Sequence, residues 1–260
     1  MIDLKVSLIG FLIGFLIGLT GMGGGALMAP ILIFFLKVPA LFAIGTDLVY
    51  SSITKIFGAW QHYKQGTVDL KVTFYLASGS IPASLLGVRT IRLMQENGAL
   101  NVDLFVMRAL GIALVLVAVI LFIRVFNGHE VASIESKNEH IPRVRRKGVT
   151  VLLGAVVGFL VGLTSVGSGT IIIAVLVFIY PYLTASKIVG TDIFHAALLV
   201  SVAGLAHLYS GNVNLPVVGS LLIGSIPGVL AASRLTLRIP NRILRGILAV
   251  VLLSAGLKLI

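Results

Sequence analysis

Three long stretches of this 260-residue chain contain no Asp, Glu, Lys or Arg, and they constrain its fold more than any other feature. They are residues 6–36, 148–186 and 193–233. A helix needs about 20 mainly apolar residues to cross a bilayer, so each stretch is long enough to span one. Hydrophobic residues make up 58% of the chain and charged residues only 11%, too few for a water-solvated surface. The sequence therefore predicts an all-α, polytopic membrane protein.

Shorter apolar runs complete a set of eight predicted membrane segments. They lie near residues 6–36, 40–63, 72–93, 102–124, 148–180, 185–208, 215–236 and 240–260. The net charge of +11 does not indicate a nucleic-acid partner, because Lys and Arg flank the apolar segments, where membrane topology explains them. The chain has no cysteine, which excludes disulfides and thiol chemistry.

The two halves of the chain are copies of each other. An offset of 145 residues aligns Gly45-Thr46-Asp47 with Gly190-Thr191-Asp192, and Ser80-Ile81-Pro82 with Ser225-Ile226-Pro227. A charged stretch lies between the copies, so we predict a first transmembrane repeat over 1–124, a basic linker over 125–147 and a second repeat over 148–260. A signal peptide is the alternative for residues 6–20, but the corresponding run of the second copy is internal.

The first segment of each repeat is too long for one crossing and is interrupted by glycine. The interruptions are Gly21-Met22-Gly23-Gly24-Gly25 and Gly167-Ser168-Gly169. Glycine frees the backbone to turn, and irregular backbone inside a membrane is tolerated where protein surrounds it or where it lines a cavity. We therefore expect two helical hairpins. Residues 26–36 would form a helix of about 16 Å, which is too short to cross.

The distribution of basic residues supports the hairpins. If every segment crosses once, the two sides of the membrane carry ten and nine Lys and Arg, which assigns no orientation. If the broken segments return to the side they entered, the split is thirteen against six, with the linker cytoplasmic and both termini on the opposite side. Each repeat of four segments then crosses three times, an odd number. The two repeats are therefore predicted to have inverted topology, as in many secondary transporters.

The hairpin tips are the predicted anion-binding site. A helix that begins at membrane depth directs unpaired N–H groups and the positive end of its dipole into the protein. The expected binding residues are Thr20, Gly21, Gly23, Gly24 and Gly25 in the first hairpin and Thr164, Ser165, Gly167, Ser168 and Gly169 in the second. The alternative explanation is that the small residues only allow helices to pack closely.

Two aspartates and a histidine inside the predicted spans are the expected coupling or gating residues. Asp47 and Asp192 each follow a hairpin, and a carboxylate at membrane depth costs at least about 2.5 kcal/mol, so it normally faces a cavity or a partner. His195 lies on the same predicted helix face as Asp192 and is a candidate for proton handling. Helix capping is the alternative for both aspartates, since Gly-Thr-Asp is typical of a helix start.

Lys55 is predicted to contribute to anion binding. Its counterpart in the second copy is Val200, so only one repeat carries this charge. A buried lysine can pair with Asp47 or with an anionic substrate. Snorkelling to the membrane interface is the alternative. His62 and His207, at helix ends, are predicted to be interfacial or to stabilise turns.

No motif of a membrane enzyme is convincing. The chain has neither a His-Glu-x-x-His pair nor a Walker lysine after its glycines. A peptidase that uses Ser165 or Ser168 with His195 remains the enzymatic alternative. No cofactor and no metal site are expected.

Several of these motifs resemble those of the TauE/SafE family of sulfite exporters and sulfonate permeases, over nearly the whole chain. The matching elements are Gly21 to Gly25, Pro30, Gly45-Thr46-Asp47-Leu48, His62 and Gly66-Thr67-Val68-Asp69. The second copy departs from the pattern at Ser168, where a glycine is usual, and at Asn214 in place of Asp. The resemblance implies transport of small sulfur-containing anions, organic sulfonates or carboxylates, driven by an ion gradient.

The hairpins and the inverted repeat predict a secondary transporter of the plasma membrane that works by alternating access at a midplane anion site between the repeats. The resemblance implies that its substrates are sulfite, thiosulfate, sulfonates or related anions and that transport is coupled to protons or another ion. An anion channel and a non-transporting membrane scaffold are the alternatives. The expected partners are a small anionic substrate and the lipid bilayer, with no nucleic acid, and a homodimer is an open alternative to a monomer.

Overall fold

Ten helices form the described part of the computed structural model, which comprises residues 4–20, 26–98, 101–126, 143–233 and 241–260. In chain order they are α1 (Leu4–Thr20), α2 (Met28–Phe34), α3 (Ala40–Lys64), α4 (Leu70–Glu96), α5 (Val102–Phe126), α6 (Arg143–Thr164), α7 (Thr170–Ile179), α8 (Ala185–Tyr209), α9 (Leu215–Ser233) and α10 (Asn241–Leu259). No strand occurs within these ranges, so the predicted all-α fold is confirmed. Five helices, α3, α5, α6, α8 and α9, are long and apolar enough to cross a membrane.

Large apolar side chains cover the outside of the helix bundle. On α1, Leu4, Leu8 and Leu12 are 83%, 64% and 57% exposed, and their spacing of four residues places them on one face. Ile112 and Ile123 on α5 are also exposed. Such continuous apolar faces are unfavourable against water, whereas lipid is a suitable solvent for them. The chain is a multi-pass membrane protein.

The second overlong segment is broken where its glycines predict it. It consists of α6 and α7, separated by residues 165–169, and the described parts of the first segment are α1 and the seven-residue α2. Residues 21–25 of the first break lie outside the described residues. The basic cluster 143–147, expected in the linker, instead forms the first turn and a half of α6, and α5 extends to Phe126. Helix α6 can extend there because basic side chains at a helix start tolerate water.

The packing of the helices follows the duplication. Helix α1 packs on α9, and the equivalent helices of the other copies, α6 and α4, pack on each other. At the centre α3 packs on its own counterpart α8, and α5 packs on its counterpart α10. Each repeat therefore contributes half of every major interface, and neither forms a separate bundle.

The glycines at these interfaces show the direction of each helix pair. Gly10 of α1 faces the backbone of Leu221 and Gly14 faces Ser225, so the residue numbers of α1 and α9 increase together. Gly154 and Gly158 of α6 face Leu76 and Ser80 in the same way, which makes α4 and α6 parallel. By contrast, α3 and α8 run antiparallel, since Gly58 faces Ile193 and Gly204 faces Leu48.

The same glycines predict a large difference between two substitutions on α9. A Cβ at Gly224 would overlap the carbonyl oxygen of Ser7 and lie 2.8 Å from the nitrogen of Phe11. Gly224→Ala should therefore destabilise the protein by about 3 kcal/mol, since α1 and α9 must separate. Gly219→Ala, with no atom within 4 Å, should leave stability unchanged or raise it by up to about 1 kcal/mol. Thermal unfolding in detergent measures both, and equal midpoints would contradict the proposed close packing.

The Gly-Thr pair of each repeat docks onto a turn of the other repeat. Thr46 Oγ1 accepts a hydrogen bond from the Asn214 N–H (3.1 Å), and Thr191 Oγ1 accepts one from the Asp69 N–H (2.9 Å). A Cβ at Gly45 would overlap the carbonyl oxygen of Asn212, so only glycine allows this contact. The motif that suggested a helix start therefore joins the two repeats.

Candidate functional site

Buried polar side chains collect where α3, α8 and the tip of the second hairpin meet. The tip, residues 164–169, joins α6 to α7, and Thr164, Ser165 and Ser168 within it are at most 4% exposed. Asp47 and Asp192 face this region from the two crossing helices and are also buried. Non-helical backbone at this depth is tolerated because protein surrounds it.

Asp47 is bonded to the second hairpin. Its side chain is fully buried, with Oδ2 accepting a hydrogen bond from Ser165 Oγ (2.6 Å) and Oδ1 accepting one from Ser51 Oγ (3.0 Å). It does not cap α3, which begins seven residues earlier at Ala40. The first turn of α3 is capped by Asp103 of α5, whose Oδ1 accepts from the Leu41 N–H (3.0 Å). Asp47 therefore links α3 to the hairpin tip of the other repeat.

Ser165 holds this link in a strained backbone conformation. Its φ is +63°, in the left-handed region that favours glycine. With a one-residue gap that aligns Thr20 with Thr164 and Gly23 with Gly167, its counterpart in the first copy is Gly21. Ser165 thus adopts a strained conformation and also donates a hydrogen bond to Asp47. Close packing of helices does not by itself require either property.

Two substitutions at Ser165 separate these effects. Ser165→Ala loses the hydrogen bond to a carboxylate and should cost about 2 kcal/mol. Ser165→Gly loses the same bond but relieves the left-handed strain, so it should be about 1 kcal/mol more stable than the alanine variant. Thermal unfolding measures the difference, and an alanine variant as stable as the glycine variant would contradict the strained geometry.

Lys55 reaches the same hairpin tip from α3. Its Nζ donates a hydrogen bond to Ser168 Oγ (3.2 Å), and its charge lies within electrostatic reach of both Asp192 and Asp47. The side chain therefore points into the protein and does not snorkel to the interface. Ser168, which contacts this lysine, is also the residue at which the second hairpin departs from the family pattern.

Asp192 occupies the equivalent place on α8. Its helix is capped by Thr184, so Asp192 does not act as the N-cap. It lies beside the start of α7, where a Cβ at Gly169 would be 3.6 Å from its Oδ2. The N-cap residue of α7 is Gly169, which has no side chain to cap the first N–H groups of this helix.

His195 pairs with a serine that the sequence did not suggest as a site residue. Ser80 Oγ of α4 lies 2.7 Å from His195 Nε2, and both side chains are fully buried. His195 Nδ1 has no hydrogen-bond partner among the described residues. The 145-residue offset relates this pair to Tyr50 and Ser225, so one copy carries an imidazole where the other carries a phenol. An imidazole has a second ring nitrogen that can accept a proton, which a phenol lacks.

The other two histidines have structural contacts. His62 Nδ1 lies 2.9 Å from Thr67 Oγ1 and stabilises the turn between α3 and α4, as predicted. His207 is fully buried, and its Nε2 bonds the carbonyl oxygen of Gly162 in α6 (2.9 Å). The prediction of an interfacial or turn-stabilising His207 is wrong, because α6 packs against the end of α8 and covers the ring.

The described residues thus bring together one half of the predicted site. Ser165, Ser168, Gly169, Asp47, Lys55 and Asp192 surround the second hairpin tip. Thr164 supports the turn, since its Oγ1 donates to the Leu160 carbonyl and accepts from the Val166 N–H. Gly167 has φ +112°, a conformation that requires glycine. Gly21, Gly23, Gly24, Gly25 and the side chain of Thr20 lie outside the described part of the structure.

Comparison with known proteins gives the family. Residues 6–259 match the family model described as Sulfite exporter TauE/SafE. The chain belongs to the TauE/SafE family. It is 41% identical over 258 residues to the probable membrane transporter protein YjnA of Bacillus subtilis (strain 168), covering 99% of this chain and 100% of the relative.

More distant relatives agree with this TauE/SafE assignment. The chain is 25% identical to the probable membrane transporter protein YdhB of the same organism, covering 98% of this chain and 99% of that one. It is 27% identical to the probable membrane transporter protein YunE, covering 97% and 95%. No solved structure matches the chain. These relatives are named as transporters, so this TauE/SafE chain is a member of a membrane transporter family.

Proposed function

We propose that this chain is a secondary transporter that moves small anions of the sulfite, thiosulfate or sulfonate class across the plasma membrane, coupled to protons. The observation that carries the proposal is the contact of Lys55 Nζ with Ser168 Oγ at the second hairpin tip. This contact places a cation beside the start of α7, whose N-cap residue Gly169 provides no side-chain cap, so an ammonium group and the positive end of a helix dipole lie close together. Both favour an oxyanion.

Alternating access is favoured by the relation between the repeats. The central helices α3 and α8 are counterparts in sequence and run antiparallel, as expected if the second repeat is inverted relative to the first. The proposed site lies at their crossing, and inverted-repeat transporters bind substrate near the midplane at such an interface. In the proposed topology the linker and the start of α6 are cytoplasmic.

The charges of the site support proton coupling. Two carboxylates, Asp47 and Asp192, act on one ammonium group, Lys55. With both carboxylates ionised the group is net negative, and an added anion would increase that charge where water is scarce. We infer that at least one proton binds together with the anion. Asp47, Asp192 and His195 are the residues proposed to receive it.

Reconstitution tests the proposal. Purified protein is first screened by thermal shift against sulfite, thiosulfate and methanesulfonate, since ligands that bind the native state raise its stability. The best ligand is then offered to proteoliposomes with and without an imposed pH gradient. Saturable accumulation that follows the pH gradient supports the proposal. Currents through planar bilayers without accumulation would instead indicate a channel, and the absence of any flux would indicate a scaffold.

A further inference from the structure

A second group of basic side chains lines a cavity at the other end of α6, away from the hairpin tip. The cavity has a volume of about 690 Å³ and lies between the starts of α4 and α6 and the end of α7. Its lining includes three cations, Lys71, Arg146 and Lys147, and three tyrosines, Tyr75, Tyr180 and Tyr182. We call this cavity the basic vestibule.

Two of the three cations of the basic vestibule lie against its aromatic rings. The Arg146 guanidinium lies over the Tyr182 ring at 5.5 Å, and Lys147 Nζ lies over the Tyr75 ring at 5.5 Å. Contacts of this kind attract a cation to the face of the ring and restrict its motion. Tyr180 is fixed in turn by Thr150, whose Oγ1 lies 2.8 Å from the Tyr180 hydroxyl. The vestibule therefore presents ordered positive charge.

One donor in this group has no acceptor within the part of the chain that the structure describes. Arg146 Nε is buried and has no hydrogen-bond partner among the described residues. Leaving a buried donor of a charged group unsatisfied is costly, so a ligand oxygen at this position would be stabilising. Arginine is also the side chain best suited to oxyanions, because its planar fork matches two oxygens at once.

The single carboxylate in the lining has another role. Asp69 is the N-cap of α4, with Oδ1 accepting from the Lys71 and Val72 N–H groups at 3.0 Å each. Its counterpart in the second copy is Asn214, which caps α9 through the Val217 N–H (3.2 Å). Lys71 and Tyr75 correspond to Pro216 and Ser220, so α9 does not repeat the basic and aromatic pair. The start of α9 therefore does not provide the basic and aromatic lining that the start of α4 provides.

We propose that the basic vestibule is a second anion site, which binds an oxyanion of the sulfate or phosphate type at Arg146 and Lys147. Two sources can supply this chemistry, a free anion in the cytoplasm or the phosphate of a lipid headgroup. Binding does not depend on the proposed transport activity. Delivery of the bound anion to the Lys55 site is a further step that rests on that activity.

Sulfate binding to the full chain in neutral detergent tests the site. Thermal midpoints are followed during titration with sodium sulfate, with sodium chloride at matched ionic strength as reference. Arg146→Gln/Lys147→Gln should weaken sulfate binding by at least about tenfold, because the charge-assisted contacts are lost. Lys64→Gln is the control, since Lys64 is exposed and stacks on Trp60 outside the vestibule.

Asp69→Asn gives an effect of the opposite sign. Asparagine caps a helix as well as aspartate does, so the fold is kept while a negative charge leaves the lining. Sulfate should then bind more tightly, on the order of fivefold, the change expected for one nearby charge in a water-filled cavity. Equal affinities in the wild type, Asp69→Asn and the double glutamine variant would overturn the proposal.

Two further arms identify the source of the anion and separate this site from the central one. The titration is repeated on Lys55→Met, where sulfate binding at the vestibule should persist. Loss of binding in this variant would place the sulfate at the central site and overturn the proposal.

Nanodiscs of phosphatidylcholine, with or without phosphatidylglycerol, test whether a lipid headgroup supplies the anion. Stabilisation by phosphatidylglycerol that disappears in Arg146→Gln/Lys147→Gln would assign the vestibule to a headgroup. A vestibule that responds to neither sulfate nor phosphatidylglycerol contradicts the proposal.

Discussion

Lys55→Met is expected to reduce anion transport at limiting substrate by at least about a hundredfold. Lys55 is the cation that bonds the hairpin tip at Ser168 and acts on both buried carboxylates. Its removal takes away the attraction for the anion and leaves the site more negative by one charge. Loss of a charged hydrogen-bond donor costs up to about 3 kcal/mol, the added negative charge of the site repels the anion further, and 1.4 kcal/mol corresponds to a factor of ten. Initial uptake rates in proteoliposomes measure the effect.

Two controls separate binding from folding in this experiment. Lys64→Met removes a lysine from the same helix at an exposed position, so transport should be unchanged. Lys55→Met/Asp192→Asn restores the charge balance of the site and should recover most of the lost stability without recovering transport. Recovery of transport in the double variant would show that Lys55 only balances charge and does not bind the anion.

The broken segments were predictable because their lengths can be compared directly with the thickness of a bilayer. The uncharged run 148–186 is too long for a single crossing of ordinary length, and Gly167 and Gly169 mark where it turns between α6 and α7. The repeat was also predictable, because comparing the chain with itself aligns the two copies. Both properties belong to the order of residues along the chain, so neither required knowledge of three-dimensional contacts.

The contacts within the site could not be predicted in the same way. Lys55 and Ser168 are 113 residues apart, and their counterparts in the other copies, Val200 and Gly24, carry neither charge nor hydroxyl. The duplication therefore offers no second example of this pair. Ser80 is one of many small residues of α4, and its contact with His195 exists only because α4 packs on α8.

The Gly-Thr-Asp motif shows how a local pattern can suggest the wrong cause. As a helix start it would place Asp47 in the role of a cap, yet α3 begins at Ala40 and receives its cap from Asp103. Glycine and threonine are needed at these positions because a turn of the other repeat lies against them. The aspartate is thereby placed on the buried face, one residue beyond the inter-repeat contact.

Asp47→Asn is expected to uncouple anion movement from the proton gradient. Asparagine has nearly the same shape; its amide oxygen can accept from one of the serine hydroxyls, Ser165 or Ser51, and its NH2 group can donate to the other, so the fold should be kept. It cannot take up a proton in the way a carboxylate can. A gradient of one pH unit supplies about 1.4 kcal/mol per proton, enough for roughly tenfold accumulation of the anion. In the variant this accumulation should be lost, so that the anion concentrations inside and outside become equal.

Counterflow distinguishes uncoupling from simple loss of activity. Exchange of labelled for unlabelled anion needs no net proton movement, so Asp47→Asn should retain it while pH-driven accumulation disappears. Asp192→Asn is the matched comparison, because the residues that correspond to Ser51 and Ser165 are Ala196 and Gly21, and neither can donate a side-chain hydrogen bond to Asp192. If the two serines make Asp47 the coupling carboxylate, pH-driven accumulation should be lost in Asp47→Asn and not in Asp192→Asn. Wild-type accumulation in Asp47→Asn would exclude this carboxylate from coupling and leave it the role of binding α3 to the hairpin tip.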